Sequence, residues 1–253
     1  MINKDLLSKF SHFYSDIKKS FNKIYKNSNF YDKKISKVFD NDLKYKPSPF
    51  LLSSIINYQK KKYKIEDFAI TSIWKKDVDI KDFKKLNNFF WFFSLDLKSS
   101  KKTTQSILSS WIDNNNKYNK KSWDIDLTSK RIISWLSNHR LTYEDSEEEY
   151  RQKFNHIIQK QTNHLINEIK NSEEVQNKII SCSAIILSGL AYQNNKNYLS
   201  AGLNLLKNII KSSIDNYGFP KSRNIKQLIL YLKYFIIIRE WFKESQREVP
   251  EYI

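Results

Sequence analysis

Four histidines, one cysteine and a scatter of carboxylates are the side chains that could carry chemistry here. His156 and His164 stand eight residues apart, roughly 12 Å along a helix at 1.5 Å per residue. That is too far for one metal ion, so the pair reads as surface or capping residues. His12, too, reads as a surface or capping histidine. His139 falls in Asn138-His139-Arg140, where a cation at a helix end suits the dipole; a role at a site is the other reading. Glu147-Glu148-Glu149 would complement the macrodipole of a helix start, so it reads as an opening turn rather than a catalytic pair. Asp124 and Asp126 read as capping or turn residues. Cys182 alone can build neither a disulfide framework nor a multi-Cys zinc site. Several signatures are missing: G-x-G-x-x-G, Walker A, G-x-S-x-G, H-E-x-x-H and paired C-x-x-C. Their absence removes most nucleotide enzymes, α/β-hydrolases and zincins. The six Trp, at 74, 91, 111, 123, 135 and 241, suit a core. Trp123 and Trp135 could also serve as aromatic platforms for a sugar.

These residues need a scaffold, and composition bounds it. The chain has 253 residues, 44 Lys and Arg against 27 Asp and Glu, and a formal charge of +17. Six of the cations are Arg, which leaves 38 Lys. An Arg-poor surface argues against one selected for bidentate phosphate contacts, and no basic–aromatic motif is present; both count against nucleic acid as a partner. Either way the field attracts polyanions at low salt. Three Gly and four Pro are too few for the turns of an all-β sandwich. Aromatic content of 15% is too high for disorder. The N-terminus lacks the apolar stretch of a signal peptide. The most apolar run, Leu228 to Ile238, contains Lys233 and falls short of the roughly 20 residues that cross a bilayer. The expectation is a cytoplasmic protein with a reduced thiol and no membrane span.

Periodicity predicts helices in series. After a low-definition stretch with helical pieces near Leu6–Tyr25, Lys46-Pro47-Ser48-Pro49 punctuates the chain. Helical spacing starts at Phe50, Phe68–Trp74 reads as extended, and then come Asp82–Leu97, Thr103–Ile112, Ser129–Leu141 behind Thr128 as N-cap, Ser146–Ile169, Lys178–Tyr192, Tyr198–Ile214 and Lys226–Glu244. Lys178–Tyr192 is apolar nearly all round and so belongs inside. Short polar loops between long amphipathic helices imply antiparallel hairpins.

Four segments in this order resemble the N-terminal helical region of bacterial heparinase II/III family proteins. They are Asn87–Leu97, Trp111 through Trp123 to Arg131 and Trp135, Ala184–Leu190, and Tyr217-Gly218-Phe219-Pro220-Lys221-Ser222-Arg223-Asn224. The resemblance covers about residue 64 to the end. It implies an all-α fold, an incomplete α/α toroid over residues 61–253, with 1–60 a variable N-terminal segment. A β-sandwich region follows in the family and would begin after Ile253. The resemblance also implies β-elimination on acidic, uronic-acid polysaccharide, with no metal or cofactor. In that chemistry a cation or neutral donor stabilises the developing enediolate, and a Tyr or His moves protons. It assigns Asn177 and Arg223 as catalytic. Gln176, Trp123, Arg131, Trp135, His139 and Gln227 would contact substrate, Gln176 being the alternative to Asn177 by one residue. Two departures stand out: Pro220 replaces the motif His, and Gln227 replaces the lyase Tyr. A non-catalytic carbohydrate-binding or interaction toroid is the alternative. With no proton-transfer group matched, residues 1–253 should release no unsaturated uronate product in an absorbance assay over acidic glycans; robust product would show that the missing groups have been misassigned.

Overall fold

The computed structural model describes residues 17, 20–39, 42–56, 64, 79–193 and 196–253. His12, Trp74 and the expected extended stretch Phe68–Trp74 lie outside them, as does most of Leu6–Tyr25; residues 20–26 are helical. Among the described residues there is no strand, only an isolated antiparallel bridge between Ile214 and Pro220.

Beyond the helical residues 20–26, ten α-helices have both ends among the described residues: α1 Asn29–Ile35, α2 Pro49–Ile56, α3 Ile80–Asn88, α4 Lys101–Asn115, α5 Ile125–Ser137, α6 His139–Thr142, α7 Glu148–Glu168, α8 Val175–Ala191, α9 Lys196–Ser213 and α10 Ile225–Glu244. Local chemistry sets their ends. Ser28, Asp79, Ser100, Asp124 and Asn224 each accept a backbone N–H of the first turn. Pro49 opens α2, where its missing N–H is no loss. The Glu run does open a helix, with Glu147 at the cap and Glu148 at the start of α7.

Two boundaries differ from the periodicity. Asp82–Leu97 is not one helix. Phe89 adopts a left-handed conformation, φ 57°, and Asn88 Oδ1 accepts the Phe90 N–H at 2.9 Å. That Asx interaction competes with the next helical turn, and the chain continues as a 3₁₀ turn, Phe90–Ser94. The helix expected behind Thr128 starts four residues earlier. Asp124 is the cap, and Thr128 Oγ1 instead accepts from Arg131 at 3.2 Å.

α8 is enclosed: Ile179 through Ala191 are all buried. It touches α5, α7, α9 and α10. Pairings give the directions. Arg131 meets Gln161 and Trp135 meets Phe154, so α5 and α7 are antiparallel. Tyr192 meets Asn155 and Thr162 meets Ser188, so α7 and α8 are antiparallel too. α5 and α8 therefore run parallel, and Ser129 Oγ lies 2.8 Å from Ser181 Oγ near both their starts. Contacts link α5, α8 and α10 in one row and α4, α7 and α9 in another. α9 approaches α8 backbone to backbone. A Cβ on Gly189 would lie 2.4 Å from Leu199 N, and one on Gly202 would lie 2.7 Å from Ile186 Cγ1.

The described part of the N-terminal segment packs into this same core. Tyr31, Ile35, Leu43, Tyr45 and Leu52 are buried in it, and Lys44 N donates to Ala191 O at 2.8 Å. Gln159 clasps the backbone of Phe39 in both directions, at 3.0 and 2.8 Å. His164 anchors α1. Its Nε2 faces the Trp123 carbonyl at 2.9 Å and its Nδ1 the Tyr31 hydroxyl at 2.7 Å. A carbonyl can only accept, so Nε2 carries the proton and Nδ1 accepts from Tyr31. Burial lowers the His164 pKa to about 3. Between that value and the ordinary 6.5 the unfolded chain binds the extra proton, so stability falls as pH drops through this window, at up to about 1.4 kcal/mol per pH unit. His139 and His156 are lowered as well and add to the slope. Urea unfolding between pH 7 and pH 4 should therefore show a shallower acid loss in His164→Gln than in the parent; equal slopes would refute the assignment.

Candidate functional site

The residues expected to touch substrate divide into two groups. Arg131, Trp123 and Trp135 lie in the core, each no more than 1% exposed. The Arg131 guanidinium stacks on Trp111, 4.0 Å from its ring centroid. It donates to Asn87 O at 2.8 Å, Ser122 O at 3.0 Å, Thr128 Oγ1 at 3.2 Å and Gln161 Oε1 at 3.2 Å. All four acceptors are neutral. Burial pulls its pKa down to about 9, opposed by the more distant Asp124. Trp123 Nε1 donates to Asn115 O at 3.0 Å. Trp135 sits edge-on to Phe89 and Trp111 and stacked with Phe154. These three present no face to a ligand, and their contacts make them the frame that joins α3, α4, α5 and α7. His139 is also buried, its Nδ1 3.0 Å from Glu144 Oε1. Desolvation lowers its pKa, with Glu144 opposing.

The second group is accessible and sits at helix starts. Gln176 and Asn177, in the first turn of α8, both donate to Glu174 Oε2, at 2.9 and 3.0 Å. Arg223 and Gln227 flank the start of α10. The loop before them is built around Asp215, whose Oδ1 accepts from the N–H groups of Tyr217 at 2.9 Å and Phe219 at 3.0 Å. Those bonds, the Phe219 one foremost, hold the Asp215 carboxyl below its usual range. Gly218 supplies the left-handed residue of the turn, φ 82°. Arg223 is itself left-handed, φ 56°. Its NH1 pairs with Asp215 Oδ2 at 2.6 Å, and its side chain stays largely exposed. The guanidinium also lies 5.9 Å from the Phe219 ring centroid. Gln227 Oε1 accepts from Ser222 Oγ at 2.5 Å.

The starts of α5, α8 and α10 share one end of the row that these three helices form. α5 and α8 are parallel, and the N-terminal half of α10 borders Phe90, which lies beneath Lys130 of α5. Asn177 and Arg223 thus share an end, yet each pairs with its own local carboxylate, and the structure shows no bond between them. Among the described residues no group of three His, Cys, Asp or Glu could hold a metal ion.

A polar groove lies along α7, lined by none of the residues that the sequence singles out for substrate. Lys153, His156 and Lys160, on one face of α7, line it with Lys117, Asp32 and Asp113. Lys160 is nearly buried, donating to Asn116 O at 2.7 Å and pairing with Asp32 at 2.8 Å. The three-then-four spacing of 153, 156 and 160 was the available signal. Compared with known proteins, the chain matches no family model, no curated protein and no solved structure.

Arg131 gives a clean separation of frame from site. Lys cannot span four acceptors or stack on Trp111, so Arg131→Lys should cost about 3 kcal/mol or more in urea unfolding. A variant with parental stability would return Arg131 to the list of ligand contacts.

Proposed function

We propose that the chain is a hairpin-built, incomplete α/α toroid that binds acidic polysaccharide without performing the elimination itself. The observation that carries this is the shared end of α5, α8 and α10, where accessible amides and an arginine fork project from helix starts. Gln176, Asn177 and Gln227 supply neutral donors and acceptors suited to sugar hydroxyls. Arg223 supplies the fork for a uronate carboxylate. Only NH1 of Arg223 is engaged with Asp215, so donors remain for a second carboxylate. The surplus of cations over acids draws a polyanion toward the surface as a whole.

Binding rather than catalysis follows from what stands beside the fork. Gln227 and Pro220 occupy the positions where the lyase pattern places its proton-transfer Tyr and its His. Gln227 is hydrogen-bonded as an amide, and Pro220 closes the loop by pairing with Ile214. Neither moves a proton.

Arg223→Lys keeps the charge but not the fork. A charge-assisted bidentate contact is worth about 1.5–3 kcal/mol, so affinity for a uronate polymer should fall roughly ten- to a hundred-fold. The melting temperature should hardly move, because the arginine of the Arg223–Asp215 pair is largely exposed, lysine keeps its charge, and an ion pair at the surface contributes little. Calorimetric titration with an acidic and a neutral glycan decides. Parental affinity in the variant, or equal binding of the neutral glycan, would end this reading.

A further inference from the structure

α10 carries apolar residues on two faces. Tyr231, Tyr234, Ile237, Ile238, Trp241 and Phe242 are buried against the body. Opposite them, Ile225, Ile229, Leu232 and Ile236 form a second stripe at spacings of four, three and four. They are 71%, 51%, 49% and 48% exposed. The stripe is roughly 16 Å long. Isolated exposed aliphatics need no explanation, but a contiguous stripe on one helix marks a surface made to be covered. Two exposed aromatics, Tyr217 and Phe219, stand in the loop that leads into the helix.

The charges around the stripe select what covers it. Lys226 and Lys233 lie about a quarter-turn to one side, and Arg239 lies on the other. None of the three takes part in an ion pair among the described residues, whereas the one acid near the stripe, Glu240, is engaged by Lys243 at 2.7 Å. Between Lys226 and Lys233 the helix forms a small apolar pocket with Phe90, Ile229, Leu230 and Tyr234. A second copy is a poor fit. An antiparallel pair of these helices would match Ile225 with Ile236 and Ile229 with Leu232, but it would also set Lys226 and Lys233 against the same two lysines of the other copy. Cations on both flanks of an aliphatic stripe, with aromatics at its entrance, match the interface of an anionic bilayer. There the stripe enters the acyl boundary and the lysine stems reach back to the headgroups. No helix among the described residues is long and apolar enough to cross a membrane, and this arrangement needs none: the helix lies in the interface plane.

We infer that the outer face of α10 is a docking surface for anionic lipid bilayers, seating Ile225, Ile229, Leu232 and Ile236 among the acyl chains and Lys226, Lys233 and Arg239 among the headgroups. It is independent of the polysaccharide reading, which uses the polar helix starts rather than this stripe.

Co-sedimentation of the full chain with vesicles tests it, comparing phosphatidylcholine alone with phosphatidylcholine carrying about a third phosphatidylglycerol. The protein should sediment with the anionic vesicles and remain in solution with the neutral ones. Lys226→Gln with Lys233→Gln should weaken partitioning roughly thirty-fold, about fivefold for the first lysine and again for the second. Ile229→Asp with Leu232→Asp should abolish it while leaving the far-ultraviolet helical signal and glycan binding unchanged, since both side chains are about half exposed and neither lies on the buried face of α10. Arg223→Lys should leave vesicle binding intact, so either reading can fail alone. Three results would overturn the inference. One is no sedimentation with anionic vesicles. Another is undiminished binding by the aspartate variant, which would mean charge alone acts. The third is a dimer in sedimentation velocity that the aspartate variant dissolves without any vesicle binding, which would assign the stripe to a second copy.

Discussion

Enclosure of α8 is the constraint from which the rest of the arrangement follows. A helix buried on every side from Ile179 to Ala191 must have neighbours all round, and α5, α7, α9 and α10 supply them. Its own polar groups must be settled internally. Ser183 and Ser188 therefore donate to the carbonyls four residues back, each at 2.9 Å. Ser181 and Ser188 also meet hydroxyls of α5 and α7. Burial drives the Cys182 thiol far above its ordinary range, so it behaves as a small apolar side chain. Gly189 and Gly202 let α9 close on α8 where any side chain would collide with backbone or with Ile186. The parallel course of α5 and α8, and so the gathering of helix starts at one end, is a consequence of fitting antiparallel neighbours around this one element.

A second fixed point is the buried guanidinium of Arg131. It carries a charge without a carboxylate, which is costly, and four neutral acceptors plus the Trp111 face offset the loss of water. The benefit is geometric. One side chain ties the end of α3, the loop before α5, α5 itself and α7, and Trp111 Nε1 reinforces the junction by donating to Asn87 Oδ1 at 2.9 Å. Trp135, one helical turn beyond Arg131, packs against the same aromatic cluster. An Arg followed four residues later by a Trp on one helix face is therefore a packing device here. A pattern of residue types cannot tell that use from a sugar cleft, because both require the pair on one face with aromatics nearby.

The helices were legible because their stripes are long. α7 to α10 start and stop within three residues of the spans read from periodicity, and the inner position of α8 follows from its lack of any charge after Lys178. Boundaries set by side-chain competition were harder to see. Asn88 interrupts an apolar-rich run that spacing alone continues, and Asp124 outcompetes Thr128 as a cap because its carboxylate reaches the Asp126 N–H at 3.1 Å. The N-terminal segment reaches the core through Tyr31, Leu43 and Tyr45, each too isolated in sequence to make a periodic signal. At the candidate site, Arg223 and Gln227 were legible as loop and helix-start residues. The Asp215-centred turn that holds them was not, since its bonds are local and leave no spacing to read.

α8 and α10 show where pattern reading reaches its physical limit. Both are apolar over most of their circumference. α8 carries no ionised group between Ile179 and Ala191, so complete enclosure leaves no charge stranded. α10 carries Lys226, Lys233, Arg239, Glu240, Lys243 and Glu244, and burying these would cost several kcal/mol each. The same hydrophobic content thus gives a central helix in one case and a half-covered one in the other. Because its charges keep α10 at the surface, its second stripe is left facing outward for a partner that tolerates lysine. What meets that face is decided by the sign of the charges beside it, not by the apolar residues that make it conspicuous.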